Sequence, residues 1–142
     1  MTIVVGSWNL GGIRPYDNLE LKAWLQNTSS PDIVVLGFQE IVPLTSSGLA
    51  GGNKEMQKLW TDIILKSLNK PGNQDQYQLL RVSEMFGLVI FLLAKKSITT
   101  RILDLAISSF NGGVSGNKGS VSVRFKIGDT SFCFLNCHLD HG

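Results

Sequence analysis

The stretch from Gly119 to Leu139, GSVSVRFKIGDTSFCFLNCHL, decides how the second half of the chain folds. Gly119 to Ile127 and Thr130 to Leu139 are rich in β-branched and aromatic residues and read as strands. Gly128-Asp129 between them is a two-residue connection of hairpin type. On the second strand alternate residues share a face, which places His138 with Phe132, Phe134 and Asn136. Upstream, Asn111 to Gly119 is a Gly-rich loop, and Tyr77 to Val82, Met85 to Lys95 and Ile98 to Ile107 read as further strands.

The first half has a different grain. Ile3 to Trp8 reads as a strand that stops at Asn9-Leu10-Gly11-Gly12. Asp17 with Glu20 three residues on matches a capping box, and Leu21, Trp24 and Leu25 continue as a helical stripe. Ile33 to Phe38 is a continuous apolar run ending in Gln39-Glu40, the pattern of a buried strand. Thr45 to Asn53 is a polar, Gly-rich loop. Met56, Leu59, Trp60, Ile63 and Ile64 recur at helical spacing, so Lys54 to Asn69 is a helix, ended by Pro71-Gly72-Asn73. Strand, helix, strand, helix and then consecutive strands describe an α/β layer with a mixed sheet.

Composition narrows the function classes. The 142 residues suit one domain or a piece of one, and 43% hydrophobic against 17% charged residues suffices for a core. A formal net charge of +2, from 13 basic and 11 acidic residues, lacks the basic excess of a nucleic-acid binder. The longest apolar run, Phe86 to Ala94, is too short to span a bilayer. No basic leader precedes the apolar residues of the N-terminus, so a cytoplasmic location is expected, without a signal peptide. Cys133 and Cys137, four apart on one strand, would sit about 13 Å from each other, beyond disulfide reach. They read as two small core residues in a reducing compartment.

The apolar strands end in polar side chains: Trp8-Asn9, Phe38-Gln39-Glu40 and Leu135-Asn136-Cys137-His138. Binding sites in α/β folds gather at carboxyl ends of strands. An Asn, a Glu and a His together can hold a hard cation and a phosphate. Glu40 is either paired or metal-bound behind its apolar strand, or already out in solvent. Gly112 to Ser120, GGVSGNKGS, fails the Walker pattern and the dinucleotide fingerprint, since it leads into a strand. It is either a long hairpin loop or a loop presenting backbone N–H groups and a lysine to an anion.

Taken together, Trp8-Asn9, the strand Ile33 to Phe38 with Gln39-Glu40, Gly116-Asn117-Lys118-Gly119 and Asn136-Cys137-His138-Leu139 resemble the inositol polyphosphate 5-phosphatase catalytic domain. That domain is a member of the endonuclease/exonuclease/phosphatase superfamily of metal-dependent phosphoesterases. The resemblance implies an α/β (α+β) fold, two packed mixed β-sheets flanked by helices, of which this chain would be half. It implies Mg²⁺-dependent removal of the 5-phosphate from phosphoinositide lipids or soluble inositol polyphosphates, with peripheral membrane contact at the cytosolic face of membranes and no nucleic-acid partner. Glu40 would be the main metal ligand and catalytic, with Asn9 beside the metal. His138 would contact the scissile phosphate as a second catalytic group. Asn117, Lys118 and Gln39 would meet the substrate, Gln39 as a polar neighbour of Glu40.

Cys137 stands where the family often has Ser, and Ser108 to Asn111 stands where it often has a Thr-Gly element. The family's later Gly-Asp-Leu-Asn-Tyr-Arg and Ser-Asp-His motifs do not follow His138. The chain is therefore expected to be the N-terminal part of a catalytic domain, whose C-terminal half would supply the base and cover a sheet face carrying Phe132 and Phe134. The alternatives are another phosphoesterase of the superfamily, such as a nuclease or sphingomyelinase, and a non-catalytic phosphoinositide-binding protein.

Overall fold

Seven successive residues of Ile33–Gln39 (β2) are buried, so this strand has no solvent face. Its side chains alternate between two hydrophobic clusters. Val34, Leu36 and Phe38 join one with Trp60 and Ile64, while Ile33 and Val35 join another with Val121, Val123 and Phe125. The rest of the fold supplies those two covers.

In the computed structural model, residues 1–25, 30–45, 53–112 and 118–139 are described. Two sheets form. Ile3–Asn9 (β1) pairs parallel with β2. On the other side Leu88–Lys95 (β4) pairs antiparallel with β2, and Tyr77–Met85 (β3) with β4, in the order β1-β2-β4-β3. Ile102–Asn111 (β5), Gly119–Ile127 (β6) and Thr130–His138 (β7) form an antiparallel second sheet in that order. Lys22–Leu25 (α1) and Asn53–Leu68 (α2) lie on the first sheet's outer face, and α2 buries Met56, Trp60, Ile64 and Leu68. The Phe38 ring touches Trp60 and Phe91 edge-on at 5.0 and 5.8 Å. Each fully buried side chain of this size contributes about 1.5–3 kcal/mol over its exposed state. The mixed two-sheet α/β architecture is the expected one.

The boundaries show where tertiary contacts override local signals. The capping-box helix from Asp17 is reduced to Lys22–Leu25. Glu20 instead pairs with Lys70 Nζ at 2.9 Å, and the Leu21 amide donates to Ser67 Oγ. The run Met85 to Lys95 is broken by Phe86 and Gly87, both at positive φ, which close a hairpin between β3 and β4. Ile98 to Arg101, expected to open a strand, belong instead to the 3₁₀ turn Lys96–Arg101. The predicted loop at Asn111 begins later, because β5 runs through Asn111; residues 113–117 of that loop lie outside the described residues.

Two burial expectations are corrected. Phe132 and Phe134 stack on Phe125 at 5.4 and 5.9 Å and face the first sheet. The opposite, open face carries exposed Leu103, Phe110 and Leu135. Cys133 is exposed and Cys137 half-buried, both as free thiols, because their strand positions alternate with Phe132, Phe134 and Asn136 and point away from the core. No helix among the described residues is long and apolar enough to cross a membrane.

At the end opposite the polar strand termini, Asp32 ties the chain start to β4. Its Oδ2 accepts from the Thr2 amide at 2.8 Å, and its Oδ1 accepts from Lys95 Nζ at 3.2 Å. The Thr2 amide first, and then the Lys95 ammonium, hold the carboxyl below its ordinary value of 3.8 against the upward push of partial burial. A depressed folded-state pKa stabilises the fold above the ordinary value, and that contribution is lost as pH falls through the folded value. Asp32→Asn should therefore lower stability at pH 7 by about 1 kcal/mol. The gap to the parent should close as pH falls below 3.8, read from urea midpoints across pH. A gap constant with pH would assign the loss to hydrogen-bond geometry instead of charge.

Candidate active site

β1 and β2 run parallel and end together, Asn9 paired with Gln39. The chain is then held by a short ladder: the Leu10 amide donates to Gln39 O at 2.8 Å, Gly12 to Glu40 O at 2.8 Å, and Ile41 to Gly87 O at 3.0 Å. Within that ladder Glu40 sits at φ 51°, a left-handed conformation unusual for a glutamate. Such a backbone costs on the order of 1 kcal/mol and persists only where neighbours over-determine it. Here it turns the carboxylate out of the strand to the sheet end. Asn9 Nδ2 donates to Glu40 Oε1 at 3.0 Å, while Asn9 Oδ1 accepts from the Gly11 amide at 2.9 Å. The second bond fixes which end of the Asn9 amide faces Glu40.

The second sheet brings two more groups to the same point. In the β6–β7 ladder Gly119 pairs with His138, so Lys118 and His138 stand side by side. Lys118 Nζ lies 3.1 Å from His138 Nε2, and His138 Nε2 lies 3.5 Å from Glu40 Oε1. Lys118 Nζ has only N–H groups to offer, so this contact is a hydrogen bond in the tautomer that leaves Nε2 as the acceptor. The side chains of His138 and Glu40 are 13% and 25% exposed, so the cluster is sheltered yet open to a ligand. Gly119 is obligatory here: at φ 151°, an added Cβ would meet Phe110 O at 2.0 Å. That is the physical content of the final glycine in the Gly116-Asn117-Lys118-Gly119 motif.

Beneath the cluster lies a buried amide network. Asn136 Nδ2 donates to Phe38 O and to Val89 O, each at 2.9 Å, and its Oδ1 accepts from Gln39 Nε2 at 2.5 Å. Gln39 Nε2 also donates to Ser7 Oγ at 3.1 Å.

Asn9, Glu40, Lys118 and His138, all named from sequence, thus converge. Gln39 was expected to meet substrate; it is buried and turned between the sheets, because it is still within the strand and shares the interior face with Val35. Asn117 lies outside the described residues. Sequence reading gave no role to Ser7 or Asn136. The strand alternation that puts Asn136 on the face of Phe134 and His138 was the available signal, since an Asn on a buried face requires partners.

The donor set suits a hard divalent cation. One carboxylate with exposed surface fits an ion that keeps several waters and takes one or two carboxylates plus phosphate oxygens. Among the described residues no group of three or more His, Cys, Asp or Glu gathers in the manner of a transition-metal cage. Asn9, expected beside the metal, has its oxygen on Gly11 and its nitrogen on Glu40, and so orients the carboxylate.

Comparison with known proteins agrees with this fold. A sequence profile described as endonuclease/exonuclease/phosphatase family 2 matches residues 6–142. Type IV inositol polyphosphate 5-phosphatase 9 of Arabidopsis thaliana is 34% identical over 161 residues, covering 99% of this chain and 39% of that protein. Polyphosphatidylinositol phosphatase INP53 of Saccharomyces cerevisiae is 35% identical over 148 residues, covering 100% of this chain and 13% of that protein. The crystal structure of the inositol polyphosphate 5-phosphatase domain of SPsynaptojanin, in complex with inositol (1,4)-bisphosphate and calcium, matches at a TM-score of 0.84 and 35% identity, over 99% of this chain and 40% of that one. Cimex nitrophorin matches at a TM-score of 0.69 but 17% identity, a likeness of fold alone. The chain spans about two fifths of the length of the Arabidopsis relative and less of the yeast one.

The loop that holds Glu40 gives a paired prediction. Gly11 and Gly12 have φ of 60° and 69°, but an added Cβ meets nothing within 4 Å at Gly11 and Pro43 Cα at 2.7 Å at Gly12. Gly11→Ala should lower stability by about 1 kcal/mol, the conformational term alone. Gly12→Ala should lower it by roughly 2–3 kcal/mol, because backbone must also move. Urea midpoints of the two variants give the comparison; equal losses would mean that Pro43 yields freely.

Proposed function

Since the chain belongs to the endonuclease/exonuclease/phosphatase family 2, we propose that it carries the metal and phosphate platform of an inositol polyphosphate 5-phosphatase. The reaction would be Mg²⁺-dependent removal of the 5-phosphate from phosphoinositide lipids or soluble inositol polyphosphates. The observation that carries this reading is the meeting of Glu40, Asn9, Lys118 and His138, drawn from two sheets, within hydrogen-bonding or ion-pair distance of one another. The relatives' names support the substrate class, and the inositol (1,4)-bisphosphate in the SPsynaptojanin structure supports it again.

Glu40 would hold the ion, with Asn9 fixing the carboxylate's orientation. When bound, Mg²⁺ supplies polarisation of the phosphoryl oxygens and offsets charge on the leaving oxygen. A phosphate entering the cluster would replace the Lys118–His138 contact with charge-assisted hydrogen bonds to its own oxygens. His138 would then offer a ring N–H to the scissile phosphoryl group, where charge grows in the transition state. Lys118, and Asn117 beside it in the motif, would meet phosphate on the inositol ring. Activation of the attacking water falls to a carboxylate outside this constellation, in the later motifs that the family resemblance implies.

For a lipid substrate the site must reach a membrane surface. Exposed Leu139, next to His138, and exposed Phe110, whose carbonyl abuts Gly119, support peripheral membrane contact at this edge. The location that goes with this reading is cytoplasmic, at the cytosolic face of membranes.

The test is kinetic, in the full-length protein. Glu40→Gln keeps the shape and removes the charge. It should lower kcat for Mg²⁺-dependent phosphate release by about 10²-fold or more. Lys118→Ala should mainly raise KM, because it removes binding energy remote from the reacting bond. Near-normal Mg²⁺-dependent release by Glu40→Gln would refute the assignment.

A further inference from the structure

Apolar contact alone does not fix how far two packed sheets slide past each other, since it is non-directional. A buried hydrogen bond does, because its geometry tolerates little displacement. Between the two sheets of this protein Asn136 makes such bonds. It is 5% exposed and lies on the inward face of β7.

We propose that Asn136 is a positioning residue: it clamps the two sheets together beneath the active site and thereby holds His138 against Glu40. The kinetic consequence rests on the phosphatase reading above; the positional one does not.

Three features carry the proposal. The first is where the clamp grips. Phe38 and Val89 are the last registered pair of the β2–β4 ladder, beyond which β2 turns out at Glu40. The two N–H bonds of the Asn136 amide reach both of their carbonyls, at 2.9 Å each. One side chain of β7 is thus tied to two strands of the other sheet. The second is the receptor. A Cβ on Gly37 would lie 2.8 Å from Asn136 Cγ, so the absence of a side chain at Gly37 makes the notch that admits the amide. The third is the lever. Asn136 Oδ1 accepts from Gln39 Nε2 at 2.5 Å. Gln39 immediately precedes Glu40, and Asn136 stands two residues before His138 on the same strand face, roughly 7 Å along the chain. The two partners of the Glu40–His138 contact therefore hang from the two ends of a single hydrogen bond. Gln39 also donates to Ser7 Oγ, which brings β1, and with it Asn9, into the same network.

The competing explanation is that Asn136 merely fills space. The experiment separates the two with Asn136→Ala and with the double variant Asn136→Ala/Gly37→Ala, in which the new methyl fills the vacated notch. NMR on the metal-free full-length protein follows cross-relaxation between the His138 ring protons and the Glu40 side chain. Ring contacts of Phe125 with Phe132 and Phe134 serve as an internal reference for the intact core. Asn136→Ala should weaken the His138–Glu40 signal several-fold and leave the reference unchanged. The double variant should regain thermal stability without regaining that signal. Gln39→Met, which keeps the length and deletes the donor, is a milder variant and should weaken the signal in the same sense. In the full-length protein the Asn136 variants should lose at least tenfold in kcat with KM within twofold of the parent. Retention of the signal in Asn136→Ala, or its recovery together with stability in the double variant, would overturn the proposal in favour of packing. Absence of phosphate release from the parent itself would count against the phosphatase reading alone, and the NMR comparison would still decide the role of Asn136.

Discussion

Everything in this structure follows from a strand with no solvent face. Ile33–Gln39 is buried along its whole length, so both of its faces need cover. Helix α2 and its aromatic partners supply one cover and the β5-β6-β7 sheet the other. A strand in that position has only its end open to water. The first residue beyond it, Glu40, is therefore placed at the rim of the sandwich by a rigid support. Rigid support is what a metal or phosphate site requires of its scaffold.

The rim concentrates interactions that would be weak elsewhere. Glu40 holds a left-handed backbone inside three main-chain hydrogen bonds. Its carboxylate is met by an amide from β1 and an imidazole from β7, and the imidazole by a lysine that enters β6. Lysine, imidazole and carboxylate follow one another at 3.1 and 3.5 Å. A phosphate group and a hard cation suit such a row better than any pair of neutral groups, because each finds its opposite charge already in place. The buried amides of Gln39 and Asn136 below it explain how two sheets joined mainly by apolar contact can present so defined a row.

The comparisons divide in the same way as the structure. Cimex nitrophorin shares the sandwich at low identity, and its crystal structure is of a ferrous NO complex. A shared fold thus leaves the chemistry open. The SPsynaptojanin 5-phosphatase domain shares both fold and about a third of the sequence. What narrows the function is the small set of side chains at the strand ends, held by the glycines that let them approach: Gly37 under Asn136 and Gly119 against Phe110.

The sequence by itself determined the elements with strong periodicity or unbroken apolar runs. β2 was legible because six apolar or small residues in a row leave no polar face, and α2 because Met56, Trp60 and Ile64 recur along one side. The β6–β7 hairpin was legible from its Gly128-Asp129 turn. Four of the residues that converge were legible through the family resemblance: Asn9, Glu40 and His138 at the ends of apolar strands, and Lys118 in its Gly-rich loop. Other features belonged to tertiary structure alone. Asp17 and Glu20 carry a helix-start signal, yet Glu20 and Leu21 find partners on Lys70 and Ser67, and contacts distant in sequence outweigh a local cap. Cys133 and Cys137 look like core residues by type, but the register of β7 turns them outward. Gln39 lies beside Glu40 in sequence and beneath it in space, because alternation sends consecutive strand residues to opposite sides. The bond from Gln39 to Asn136, 97 residues apart, has no local signature at all. It exists only once two sheets have packed, when two buried amides must find each other or remain unpaired.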